Sequence, residues 1–173
     1  ISLQSTLLGL RAGLENYSMT MTGIVMSSYF VGFALGSYYN PSIIRLFGHI
    51  RTYAALATLA SAAAIAHALN AEPWFWTLLR IITGFCVVGM FRIMESGLNS
   101  LAGNAMRGKF FGLYMIIPLL AMAMGQHLLR LGEVNSFGLF AVTTILISLA
   151  LVPVVLTRLR EPLISQPKQF GLL

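Results

Sequence analysis

Aspartate is absent from this 173-residue chain, and acidic residues number only 5 against 11 Lys and Arg. A hydrolase built on an aspartate pair is therefore excluded. The single cysteine, Cys86, rules out an internal disulfide and with it a disulfide-stapled secreted scaffold. It lies in an apolar run and reads as a small core residue. No Cys/His cluster has metal-ligand spacing, no Gly-rich loop precedes a Lys-Ser/Thr pair, and no Gly-x-Ser-x-Gly elbow occurs. Neither an enzyme nor a bound metal or cofactor is expected. Charge itself is scarce: 9% of residues, where a soluble domain carries about a quarter. That excludes a soluble enzyme and a disordered tail. The net charge of +6 has the sign that nucleic-acid binding needs, but the exposed polar surface for such binding is missing.

What the chain has in quantity is apolar surface, with 57% hydrophobic residues and a mean hydropathy of +0.81. The expected solvent is a lipid bilayer. A helix crosses the hydrocarbon core with about 20 mostly apolar residues. Thr22–Tyr39, Thr52–Leu69, Trp74–Ala102, Phe110–Leu129 and Phe137–Leu156 meet or approach that length. Between them lie Asn40-Pro41-Ser42, Asn70-Ala71-Glu72-Pro73, Asn104 to Lys109 and Gly132 to Ser136, all with loop chemistry. The opening Ile1–Leu10 is apolar, about half the needed length, and begins on Ile. It has neither a basic leader nor a cleavage site, so it reads as the trailing half of a truncated first span. The expected fold is an all-α membrane protein, a bundle of six transmembrane helices.

Lys and Arg in short loops set orientation. One side of this bundle receives Arg45, Arg51, Arg107, Lys109, Arg158, Arg160 and Lys168. The other receives Arg11 and Arg130 together with Glu15, Glu72 and Glu133. The first side is therefore expected to be cytoplasmic, with both chain ends on it. Ser28, Gly32 and Gly36 recur at every fourth position of the second span, a face that lets a neighbouring backbone approach closely. The Ala-rich third span and the Val/Leu/Ile-rich sixth read as supporting or lipid-facing. Trp74, Phe75 and Trp76 fit an outer aromatic belt.

The fourth span carries Arg80, Arg92 and Glu95, charges that are expensive in a membrane and usually face a bundle interior or a wet cavity. At 100° per residue Arg80 and Glu95 fall within ~60° of one face and ~22 Å apart. Asn99 extends that stripe toward the cytoplasm. Two readings stay open. In one, Glu95 exchanges a proton or opposes a charged solute, with Arg80 or Arg92 as countercharge. In the other, Arg92 and Glu95 form a structural pair on one helix while Arg80 snorkels to the outer interface. On the fifth span Tyr114, Pro118 and Gln126 are weaker candidates for a pathway, and the terminal His127 weaker still.

The segment Pro41-Ser-Ile-Ile-Arg45-Leu-Phe-Gly48-His49-Ile50-Arg51 resembles the cytoplasmic signature between helices two and three of the major facilitator superfamily. Arg80-Ile-Ile-Thr-Gly84 is similar to that superfamily's helix-four Arg-x-x-x-Gly pattern. Tyr29-Phe-Val-Gly32-Phe, Gly48-His-Ile-Arg51, Glu95-Ser-Gly-Leu-Asn99, Arg107-Gly108, Gly125-Gln126 and Leu151-Val-Pro153 resemble its YcaD-like branch, in order and in register. Two departures stand out: Arg45 occupies the place of the usual loop aspartate, and Pro41 that of the first glycine. Gly97 stands where the branch commonly has tryptophan.

The resemblance implies a secondary transporter of two six-helix halves in a bacterial inner membrane, working by alternating access on a small solute bound between the halves, with possible proton coupling. Residues 1–160 would be the N-terminal half and 161–173 the start of the cytoplasmic linker. The partner would be a missing C-terminal half or a second copy. Glu95, Arg80, Arg92, Asn99 and Gln126 would contact solute or coupling ion. Pro41, Arg45, Gly48, His49 and Arg51 would belong to a cytoplasmic gate loop, and Ser28, Gly32, Gly36 and Gly84 to helix packing. The alternative is a non-transporting six-helix subunit of a larger complex. A channel is disfavoured, since no ring of like charges or filter-like loop is visible.

Overall fold

A computed structural model of the chain describes residues 2–101, 107–132 and 137–156. These form six helices: α1 (Ser2–Leu14), α2 (Met19–Phe47), α3 (His49–Leu69), α4 (Pro73–Leu101), α5 (Arg107–Leu128) and α6 (Phe137–Leu156). A single turn of 3-10 helix, Leu129–Leu131, follows α5. Among the described residues α2, α3, α4 and α6 are long and apolar enough to cross a membrane, whereas α5 has a shorter apolar stretch, Gly112–Leu128, and α1 has 13 residues. Glu133, Arg158, Arg160, Lys168 and the expected linker 161–173 lie outside the described residues.

Each helix end follows from local chemistry. Asn16 takes a left-handed φ of 57°, which lets its own N–H reach the Gly13 carbonyl and the Tyr17 N–H reach that of Ala12, closing α1. Ser18 then caps α2, its hydroxyl accepting from the Met21 N–H at 3.2 Å. The Glu72 carboxylate accepts from the Phe75 N–H at 2.9 Å at the start of α4, where Pro73 fills a position that needs no amide donor.

The expected loop at Asn40-Pro41-Ser42 is helix instead. α2 runs through Pro41 to Phe47, and α3 starts at His49, so Gly48 alone separates them. Its φ of 82° turns the chain in one residue while its N–H still reaches the Ile44 carbonyl at 2.9 Å. Turn propensity loses here because the Asn40 amide N–H is engaged elsewhere: the side chain is fully buried and donates through Nδ2 to the Phe85 carbonyl of α4 at 3.0 Å.

The bundle is organised around α4, which packs along α2 on one side and α3 on the other. α3 in turn carries α6, with the Ser148 and Ser61 hydroxyls 3.1 Å apart across that seam. Of the two readings of α3, supporting and lipid-facing, its place between α4 and α6 fits the supporting one, and its small Ala face is what lets it sit between two helices. α6 is largely exposed, as a lipid-facing helix would be. α1 rests chiefly on α5, with lighter contacts to α2 and α6. Two apolar clusters form, one of Ile44, Tyr53, Leu56, Cys86, Val87, Met90 and neighbours, the other of Leu7, Leu8, Ala12, Val25, Trp76, Leu139 and Phe140.

Trp76 belongs to that second cluster and not to an interfacial belt. It is fully buried, and its indole N–H donates to the His67 carbonyl at 3.1 Å and the Asn70 carbonyl at 2.8 Å. The end of α3 supplies the polar partner that a buried indole requires. Trp74, by contrast, is 64% exposed.

Candidate functional site

The α2–α4 seam sets the geometry of the site. A Cβ on Gly32 would stand 1.9 Å from the Ile81 carbonyl oxygen, and one on Gly84 would stand 2.1 Å from that of Tyr29. Gly36 faces the Phe85 carbonyl and Val88, and the Ser28 hydroxyl donates to its own helix at the Val25 carbonyl, 2.7 Å away. Gly89, opposite Asn40 and Leu56, completes the row. It escaped the sequence reading because its partners are on two different helices. Bare backbones therefore meet along two turns of α4, which is the condition for Tyr29 to lie against Arg80.

Arg80 stands at the meeting of α1, α2 and α4 and is 3% exposed. Its guanidinium carbon lies 4.7 Å from the centre of the Tyr29 ring, a cation–π contact, and Nη1 donates to the Ser5 hydroxyl of α1 at 3.2 Å. Nε has no hydrogen-bond partner. Snorkelling to the outer interface is thereby excluded. One turn earlier on α4, Trp76 stacks obliquely with Tyr17 at 5.4 Å and with His67 at 6.0 Å. His67 is fully buried; Nδ1 lies 2.6 Å from the Ala63 carbonyl and Nε2 is unpartnered. Gln4, beside Ser5 in α1, is also fully buried with both amide atoms unpartnered. An uncompensated buried polar group costs roughly 1–3 kcal/mol and an uncompensated charge more. These groups are thus an expensive concentration of polarity inside an apolar bundle.

Arg92, Glu95 and Asn99 are exposed on the far end of α4, so the stripe that helical phase unites is divided by the tertiary structure. Arg92 and Glu95 do not pair; the ion pair among the described residues is Arg11–Glu15 at 3.4 Å, on the surface. Tyr114 of α5 lies within electrostatic reach of Glu95. Gln126 joins α5 to α1, donating through Nε2 to the Ser2 hydroxyl at 2.9 Å and the Thr6 hydroxyl at 3.1 Å. Next to it, a Cβ added to Gly125 would come within 3.6 Å of the Leu3 backbone N.

The segment expected as a gate loop is a helix–Gly–helix corner. Pro41 and Arg45 ride on α2, where Arg45 Nη2 donates to the Ser42 hydroxyl at 3.1 Å. His49 and Arg51 open α3, and His49 Nε2 lies 3.3 Å from the Ser96 hydroxyl of α4. Arg45 and Arg51 are exposed. Among the described residues no three His, Cys, Asp or Glu side chains converge as metal ligands would.

Gln4, Ser5, Tyr29, Trp76 and His67 were the site residues missed from sequence. Gln4 and Ser5 give a faint signal, polar residues inside an apolar stretch; Trp76 reads as an interfacial anchor, and Tyr29 enters only as part of a family motif.

No family model and no solved structure matches the chain. Similarity to curated proteins is extensive. An MFS-type transporter of Enterobacter sp. (strain 638) is 26% identical over 159 residues, covering 92% of this chain and 42% of that protein. The MFS-type transporter YcaD of Escherichia fergusonii is 25% identical over 159 residues, with 92% and 42% covered. YcaD of Escherichia coli O6:K15:H31 is 25% identical over 158 residues, with 91% and 41% covered. The chain is thus homologous along nearly its whole length to MFS-type transporters of the YcaD branch, and it spans about 42% of the length of the relatives it matches.

Proposed function

We propose that this six-helix chain works as one half of a secondary transporter that moves a small solute across a bacterial inner membrane. The second half, or a second copy, faces it across a central site, and the two rock between inward-open and outward-open states. Both chain ends lie in the cytoplasm, on the side of Arg45 and Arg51. Residues 1–160 form the half and 161–173 begin the linker.

The observation that carries this reading is Arg80. An ionised side chain, 3% exposed, sits at the junction of three helices in a protein with four helices apolar enough to span a membrane. Such groups mark solute and ion routes by default. Glu95, exposed on the same helix, serves as the coupling group that takes and releases a proton or opposes a charged solute. Arg92 and Asn99 border it. Gln126 ties α5 to α1, so motion of either reaches the Arg80 cluster through Ser5. The corner Pro41–Arg51 acts as the cytoplasmic gate, with Gly48 as its pivot.

The test uses the complete protein in inside-out vesicles with an imposed pH gradient and a library of labelled solutes. At least one solute is expected to accumulate, and Glu95→Gln is expected to abolish the coupled component with expression intact. Unchanged accumulation in that variant removes Glu95 from the mechanism. The absence of any gradient-driven solute movement favours the accessory-subunit alternative.

A further inference from the structure

Among the described residues Arg80 is a charge without a countercharge. The chain has no Asp, and Glu15, Glu72 and Glu95 are all exposed. Among the described residues no carboxylate forms an ion pair with Arg80. What touches it is neutral: a serine hydroxyl and the face of a tyrosine ring. A guanidinium offers five donors in a planar fork, and here the Nε donor is unused. A trapped water would satisfy that donor but leave the charge uncompensated.

Further unused polarity, donor and acceptor, lies on the flanking helices. The Gln4 amide is next along the chain to the serine that holds Arg80, and the His67 ring lies against Trp76, one helical turn from Arg80 on α4. All three side chains are buried and have unpartnered polar atoms. The donors left unused are the Arg80 Nε–H and the Gln4 Nε2–H, on two helices, and the guanidinium's positive charge calls for an anion; His67 Nδ1 donates to the Ala63 carbonyl, so its free Nε2 is an acceptor and takes no part. The guanidinium fork in particular fits the paired oxygens of carboxylate or phosphate.

We propose that the solute is a small oxyanion, a carboxylate or phosphate compound, and that Arg80 is its anchor, with the Gln4 amide N–H as a second donor from the flanking helix α1. This inference rests on the transporter reading and names the substrate class of that site. In the state described, the site is closed. Ser5 holds the guanidinium by one hydrogen bond, and the anion replaces that bond when α1 moves.

The experiment is thermal unfolding of the purified complete protein at matched ionic strength. The probes are acetate, lactate, succinate, inorganic phosphate and sulfate, set against acetamide, lactamide, glycerol and choline. At least one oxyanion is expected to raise the midpoint by several degrees, with no shift from its amide counterpart. Arg80→Gln is expected to lose that shift and Arg80→Lys to keep part of it. Ser5→Ala, which keeps the charge and frees Nη1, is expected to retain the shift or enlarge it. Should Arg80→Gln fail to fold, the wild-type anion/amide pairs and Ser5→Ala decide the matter. A shift produced equally by the amides or choline, no shift with any oxyanion, or an anion shift that survives Arg80→Gln would overturn the proposal. Uptake into proteoliposomes separates the two readings. Transport of a neutral or cationic solute without an anion shift removes the oxyanion site and leaves the transporter. An Arg80-dependent anion shift without transport of any solute does the reverse.

Discussion

A methyl group on Gly32 would overlap the Ile81 carbonyl, and one on Gly84 that of Tyr29, since the hypothetical Cβ contacts are 1.9 and 2.1 Å. Backbone stands on the other side in both cases, so no side chain can swing away. Gly32→Ala and Gly84→Ala in the complete protein are each expected to cost about 1–3 kcal/mol, the range for overpacking a tight site. Gly23→Ala is the control on the same helix, because nothing lies within 4 Å of its added carbon. It is expected to stay within about 0.5 kcal/mol of the parent. Unfolding in detergent measures all three. A Gly32→Ala variant as stable as Gly23→Ala would mean that α2 and α4 do not meet as described. Gly84→Ala has a second effect, displacing Tyr29 from beneath the Arg80 guanidinium.

Elements are joined at the Arg11–Glu72 end of the bundle by Tyr17, whose hydroxyl donates to the Ala71 carbonyl in the turn between α3 and α4 while its ring leans on Trp76. The α1–α2 turn is thereby fastened to the α3–α4 turn. Burial raises the Tyr17 phenol above its ordinary 10.0, and the Glu15 and Glu72 carboxylates push it further in the same direction. The protonated phenol is the form the folded state prefers. Its contribution is therefore complete below the unfolded value near 10.0 and is lost as pH rises through the higher folded value. Tyr17→Phe is expected to cost about 0.5–1.5 kcal/mol at neutral pH, the net worth of one hydrogen bond. In urea or thermal unfolding against pH, that difference should shrink above pH 10. A gap between the two proteins that stays constant into alkali would disconnect the hydroxyl from the effect.

At the scale of the whole molecule, the proposed orientation rests on the segregation of basic residues to one end. Arg45 and Arg51 are exposed at the α2–α3 corner, and Glu15 and Glu72 are exposed at the opposite turns. Cys86 is buried in the core and gives a quiet background for thiol labelling. Glu72→Cys in intact cells is expected to react with an impermeant maleimide. Arg51→Cys is expected to react only after the membrane is opened. The reverse pattern would invert the topology and place the proposed gate on the outer face. The resemblance to major-facilitator transporters was legible because its motifs are contiguous stretches. Which charges share an environment was not, since helical phase relates residues on one rod and says nothing of what surrounds them.

The apolar content, the span lengths and the basic asymmetry were written into the residues, because lipid solvation and insertion act on local composition. So was the small-residue face of Ser28, Gly32 and Gly36, whose four-residue spacing is a property of one helix. Tertiary structure alone decided that Asn40-Pro41-Ser42 is helical, that Trp76 is buried and that Arg80 and Glu95 have different surroundings. In each case the deciding atom belongs to another element: the Phe85 carbonyl for Asn40, the His67 and Asn70 carbonyls for Trp76, and the Ser5 hydroxyl and Tyr29 ring for Arg80. A buried polar group takes its meaning from its partner, and partners across a helix seam leave no trace in local sequence.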